Sequence, residues 1–100
     1  MPEFKMGVMH SNMAYVLTGQ YPTIDEVHRR LVGRVAIITS ARDGAHKRSS
    51  LHDQGKAIDI RISDMGVGMP EKVVKELKHT LGLRFDVILE SDHIHLEYDP

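Results

Sequence analysis

The sequence predicts a single α+β domain over residues 1–100, in which helices pack on one face of an antiparallel sheet. Three segments have the apolar stripes and end signals of helices, and four have the composition of strands. Only Ser91 and Asp92 separate the last two strand segments, which indicates a tight antiparallel hairpin. One hundred residues are enough for one modest hydrophobic core.

The helices are predicted from their apolar spacing and from the residues at their ends. The first covers residues 11–18. The second begins with a capping box, in which Thr23 is the N-cap and Glu26 follows three residues later. The third begins with Pro70 at its first position and runs to about Leu81, with valines and leucines at helical spacing.

Two of the strands divide into an apolar face and a polar face. Residues 57–62 place three isoleucines on one side, so Asp59 lies on the other. In the last strand His93, His95 and Glu97 alternate with apolar residues in the same way. If both strands belong to one sheet, Asp59 and His95 can converge, and His52 in the preceding loop can reach the same face.

These three side chains have the composition of a metal site. His52, Asp59 and His95 supply two nitrogens and one oxygen, which suits zinc with an open fourth position. An open position allows a water to bind and lose its proton near neutral pH. The alternative is that they are exposed or structural histidines, since the chain has seven. His28 and His79 fall on predicted helices without partners at ligand spacing, and we expect both at the surface.

The stretch SLHDQGKAID, residues 50–59, resembles the S-x-H-x-x-G-x-A-x-D signature of the LAS metallopeptidases. This group contains lysostaphin-type enzymes, D-alanyl-D-alanine peptidases and the hedgehog signalling domain. All five fixed positions match: Ser50, His52, Gly55, Ala57 and Asp59. The stretch ESDHIH, residues 90–95, resembles the second signature, a late histidine on a strand with an acid shortly before it. SAR, residues 40–42, is similar to the S-x-x-R pattern but one residue shorter.

The resemblance covers most of residues 37–98 and implies a hedgehog/DD-peptidase-like fold, with a zinc cleft on the sheet face opposite the helices. It implies that His52, Asp59 and His95 are the zinc ligands. It also implies an acidic general base, for which two residues compete. Asp92 has the spacing to His95 found in many D-Ala-D-Ala peptidases, whereas Glu90 is closer to the hedgehog arrangement; we favour Asp92.

Other roles are implied by the same resemblance. His93 would stabilise the oxyanion. Arg42 would hold a substrate carboxylate through a bidentate contact. Ser50 would contact substrate or orient His52, and His46 corresponds to a loop histidine of hedgehog-like members.

The implied function is that of a zinc-dependent peptidase of the D-Ala-D-Ala carboxypeptidase or endopeptidase type. Its substrates would be peptidoglycan stem peptides or cross-bridges. Two alternatives stay open: a non-catalytic, hedgehog-like zinc-binding interaction module and a histidine-rich metallonuclease. The net charge of −1 disfavours the nuclease and any nucleic-acid partner.

The sequence also sets expectations for the location of the protein. We find no signal peptide and no apolar run long enough for membrane insertion. We therefore expect synthesis in the cytoplasm and access to the cell wall by phage-type release or delivery. The oligomeric state stays open.

Overall fold

A computed structural model describes residues 2–6, 15–41 and 56–99 as an α+β domain. Its strands are β1 (Glu3–Phe4), β2 (Ile37–Ser40), β3 (Ala57–Arg61), β4 (Phe85–Leu89) and β5 (His93–Tyr98). Its helices are α1 (Tyr15–Thr18), α2 (Tyr21–Val32) and α3 (Met69–Leu81). The strands form one sheet in the order β1-β2-β3-β5-β4.

The sheet is mixed, so the prediction of a purely antiparallel sheet is wrong at one edge. The pairs β2–β3, β3–β5 and β4–β5 are antiparallel, but β1 lies parallel to β2. The Glu3 and Lys5 amides donate to the carbonyls of Ala36 and Ile38, both at 2.8 Å. A strand of two residues has no side-chain periodicity, which is why the sequence did not predict β1.

Helix α2 begins two residues before the predicted N-cap, so the capping-box interpretation of Thr23 is wrong. Its N-cap is Gln20, which makes no side-chain capping bond. Pro22 occupies the first turn, where its missing N–H costs no helical hydrogen bond. Tyr21 is buried and packs edge-on against Phe4, with ring centroids 6.0 Å apart. That contact holds the start of the helix against β1.

The other predicted helices differ less from the structure. Helix α3 starts at Met69, so Pro70 is its second residue rather than its first. Helix α1 covers Tyr15–Thr18, and the part of the first predicted helix before Tyr15 lies outside the described residues. Within the described ranges, no helix is both long and apolar enough to cross a membrane.

One hydrophobic core joins the helices to a single face of the sheet. Ile58 of β3 pairs with Leu96 of β5, and Ile60 pairs with Ile94; all four are buried. These side chains form one cluster with the apolar stripes of α2 and α3. Alternation along β3 and β5 therefore directs their intervening polar residues away from that core.

A buried polar group on α2 ties the helix to the segment that enters β2. The Asp25 carboxylate accepts hydrogen bonds from the Ala36 amide at 3.2 Å and from Arg29 Nε at 2.8 Å. Burial alone would raise the pKa of Asp25, but these bonds outweigh it and the pKa is lowered. Nearby, His28 is buried and donates from Nδ1 to the Arg34 carbonyl at 2.6 Å, so its expected surface position is wrong.

We expect Asp25→Asn to lower the free energy of unfolding at pH 7 by about 1–3 kcal/mol, because a buried charged hydrogen-bond acceptor is lost. The pKa of Asp25 is lower in the folded chain than in the unfolded chain. The stabilisation is therefore present above the unfolded-state pKa and is lost as pH falls through the folded-state pKa. Urea unfolding followed by circular dichroism at several pH values measures this.

Glu26→Gln is the matched control, because Glu26 makes an exposed i,i+4 ion pair with Arg30 at 3.2 Å. Its removal should cost about 0–1 kcal/mol. The difference in unfolding free energy between wild type and Asp25→Asn should shrink in acid. A difference that stays constant would contradict the role given to the Asp25 carboxylate.

Candidate metal centre

The polar faces of β3 and β5 meet in the centre of the sheet. Asp59 lies directly opposite His95, and Arg61 lies opposite His93. Directly opposite residues in an antiparallel pair project to the same face with Cβ atoms about 4.5–5.5 Å apart. The strand pairing therefore brings together two residues from sequence segments 36 positions apart.

Asp59, His93 and His95 form a group that could hold a metal ion. His95 Nδ1 lies 3.0 Å from Asp59 Oδ1, and His93 Nε2 lies 3.5 Å from the same oxygen. One ligand atom from each residue lies within 4.8 Å of the others. Asp59 is only 8% exposed, whereas the histidines are partly exposed, so the group is open to solvent on the histidine side.

These separations fit a tetrahedral ion of the size of zinc. Ligand distances of about 2.0–2.2 Å imply about 3.4 Å between neighbouring ligand atoms in a tetrahedron. The two measured contacts with Asp59, 3.0 and 3.5 Å, lie on either side of that value. The two-nitrogen, one-oxygen donor set is one that zinc accepts, whereas magnesium and calcium prefer oxygen ligands.

A further carboxylate stands behind each histidine. His93 Nδ1 donates to Asp92 Oδ1 at 2.6 Å, and His95 Nε2 donates to Glu97 Oε1 at 3.2 Å. The two acids differ in exposure: the Asp92 side chain is 84% exposed and the Glu97 side chain 17%. Each imidazole is thus held at both nitrogens by carboxylates.

The acidic surroundings affect the protonation of His95. The hydrogen bond with Asp59 raises the pKa of His95, and burial of the ring works in the opposite direction. The charges of Asp59 and Glu97 add to the increase. A metal that binds His95 would therefore compete with a proton more strongly than at an ordinary histidine.

A groove of about 430 Å³ opens beside the group. Asp59, His93 and Asp92 line it together with four other side chains: Lys5, Thr39, Arg61 and Ser63. Within the described ranges, neither the Lys5 nor the Arg61 side chain has a carboxylate at ion-pair distance. The carboxylates of the groove contact histidines instead.

The predicted site residues fall into three sets. Asp59 and His95 come together as expected, and Asp92 lines the same groove. Glu90 has an exposed side chain, and its amide donates to the His93 carbonyl at 2.9 Å across the hairpin. The remaining candidates lie outside the described residues: Arg42, His46, Ser50 and His52.

The sequence did not predict the contacts of two residues on this polar face. His93, which was predicted to stabilise an oxyanion, also has its Nε2 atom 3.5 Å from Asp59 Oδ1. Glu97, to which no role was given, contacts His95. Strand alternation had already put Glu97 on the face of His93 and His95, so this signal could have identified it.

Comparisons with protein-family models, curated proteins and solved structures find no match for this chain. The resemblance to LAS metallopeptidases therefore rests on the sequence motifs alone.

We expect the metal-depleted protein to take up about one zinc ion per chain. His95→Ala should weaken binding by more than about 100-fold, since even groups behind the ligands contribute 10–100-fold. Competition against a chromophoric chelator measures the affinity. Bound zinc should also raise the melting temperature, because a ligand that binds only the folded state stabilises it.

His79→Ala is the matched control, because His79 is exposed on α3 and belongs to no group of ligands among the described residues. Its zinc affinity should equal that of wild type. Unchanged zinc binding in His95→Ala would remove His95 from the metal centre.

Proposed function

We propose that the protein is a zinc-dependent peptidase that hydrolyses peptide bonds in peptidoglycan stem peptides or cross-bridges. The observation that carries the proposal is the convergence of Asp59 and His95 beside a groove. Each belongs to one of the two sequence signatures, and nothing in their separate positions along the chain requires them to meet. The proposal includes the hedgehog/DD-peptidase-like architecture that the signatures imply.

The ligand set supports zinc as the metal. Asp59, His93 and His95 supply three donors, and His52 of the first signature is a further candidate. A bound zinc ion would lower the pKa of a water molecule and polarise the carbonyl of the scissile bond. The residues of the chain would hold the ion, position the peptide and move the proton.

Asp92 is the better candidate for the general base. It lines the groove with Asp59 and His93, whereas Glu90 is not among the lining residues. Asp92 would accept the proton of the attacking water directly, while His93 donates to it through the 2.6 Å contact between them. Glu90 begins the turn, where its backbone amide closes the hairpin.

The groove supports an acidic peptide as substrate. Lys5 and Arg61 place two positive charges close to Asp59, and Thr39 and Ser63 add hydroxyl groups. A guanidinium can hold a carboxylate with two parallel hydrogen bonds. Such a groove suits a peptide whose free carboxylate lies near the bond that is cut, as in a carboxypeptidase substrate. Arg42 remains a further candidate for this contact.

We expect zinc-loaded protein to release new amino groups from purified peptidoglycan without new reducing sugar ends. Among the described residues of the metal centre, Asp59 and Asp92 both contact histidines, so they do not form the facing pair of free carboxylates that glycoside hydrolysis uses. Mass spectrometry of the digested muropeptides identifies the bond that is cut.

His95→Ala protein serves as the control for contaminating hydrolases. Reducing ends without amines would refute the peptidase. Zinc binding with no cleavage of any muropeptide would favour the non-catalytic zinc module.

We expect Asp92→Asn to bind zinc and to lose at least about 100-fold in kcat, the usual scale for general-base catalysis. Asparagine keeps the size of the side chain but cannot accept the proton. Glu90→Gln is the matched control at the same hairpin and should stay within a fewfold of wild type. Steady-state kinetics on a defined stem peptide measure both variants. Near-normal activity of Asp92→Asn with an inactive Glu90→Gln would transfer the role to Glu90.

A further inference from the structure

The two contacts of His95 bear on which of its ring nitrogens can face a metal ion. Nδ1 lies 3.0 Å from Asp59 Oδ1, and Nε2 lies 3.2 Å from Glu97 Oε1. A neutral imidazole has one N–H and one lone pair, and only the lone pair can bind a metal. The partner that accepts the N–H therefore selects the nitrogen that is left for the ion.

We infer that Glu97 is a positioning residue of the metal centre: it accepts the Nε2–H of His95 and leaves the Nδ1 lone pair directed at Asp59 and the ion. The inference rests on the metal binding in the proposed function and not on the reaction. A carboxylate behind a histidine ligand fixes its tautomer and raises its basicity.

The surroundings of Glu97 favour this contact. In the sheet Glu97 stands between Ala57 of β3 and Asp86 of β4. Ala57 is fully buried. Because its side chain is small, it leaves space beside it for the longer Glu97 side chain. The Glu97 side chain is only 17% exposed, and a carboxylate taken out of water needs a hydrogen-bond donor.

The neighbouring histidine, His93, makes the corresponding contacts with its ring nitrogens exchanged. His93 donates from Nδ1 to Asp92 and directs Nε2 towards Asp59. The centre would thus use Nδ1 of His95 and Nε2 of His93. This difference follows from the acids behind the two rings, because Asp92 contacts Nδ1 of His93 and Glu97 contacts Nε2 of His95.

An acidic patch is the structural alternative for Glu97. Asp86, Glu97 and Asp99 have carboxylate oxygens within 4.8 Å of one another. If Glu97 acted only through its charge in this patch, removing the charge of Asp86 would have the same effect on zinc affinity as removing that of Glu97. Asp86→Asn is therefore the matched control.

The test is zinc affinity by chelator competition, with urea unfolding of each metal-free variant to show that it folds. Glu97→Ala should lose about 10–100-fold in affinity. Glu97→Gln, whose amide oxygen still accepts the Nε2–H, should recover most of the loss, and Asp86→Asn should stay near wild type. Equal losses in Glu97→Ala, Glu97→Gln and Asp86→Asn would overturn the inference in favour of a charge effect, and wild-type affinity in Glu97→Ala would overturn it outright.

Imidazole ¹⁵N spectra of the zinc-loaded wild type supply a second readout. We expect His95 to carry its proton on Nε2 and His93 on Nδ1. Zinc bound to His95 through Nε2 would overturn the inference even if Glu97→Ala failed to fold. Neither measurement uses a peptide, so a protein that cleaves no muropeptide but shows these effects would lose the peptidase function and keep the role of Glu97.

Discussion

The register between β3 and β5 is the constraint on which the metal centre depends. Five consecutive residue pairs fix it, and within them Ile58–Leu96 and Ile60–Ile94 are buried in the core. A slip of one strand by one residue would expose its apolar side chains and turn its polar ones inward. The hydrophobic core therefore holds Asp59 opposite His95, although neither residue belongs to that core.

Within this register, the carboxylates of the site contact the two neighbouring imidazoles. Three carboxylates, Asp59, Asp92 and Glu97, surround two imidazoles, and each imidazole contacts a carboxylate at both nitrogens. The cations of the groove, Lys5 and Arg61, are left without acidic partners among the described residues. The same arrangement thus combines a group that could hold a metal ion with two cationic side chains in the groove beside it.

The sequence predicted those parts of the molecule in which apolar and polar residues follow a regular spacing. Alternation in β3 and β5 was enough to put Asp59 and His95 on one face, and Ser91 and Asp92 were enough to predict the hairpin. It did not predict β1, which is held by backbone hydrogen bonds and by the packing of Phe4, or the start of α2, where Tyr21 packs on Phe4. It also misplaced His28, because a hydrogen bond to the Arg34 carbonyl, beyond the end of α2, permits its burial. Each failure involves a tertiary contact that no local pattern encodes.

The position of Asp59 on the polar face of the sheet, outside the hydrophobic core, affects how a metal ion could bind. Asp59 is nearly buried, and a buried carboxylate is costly unless it is paired. The contact between His95 and Asp59 gives that carboxylate a partner, and the same contact raises the pKa of His95. An ion at this site would compete with a proton for His95, and Asp59, His93 and His95 already place their ligand atoms within 4.8 Å of one another. Binding would then need little rearrangement of β3 and β5, because the isoleucine and leucine pairs hold the register beneath them.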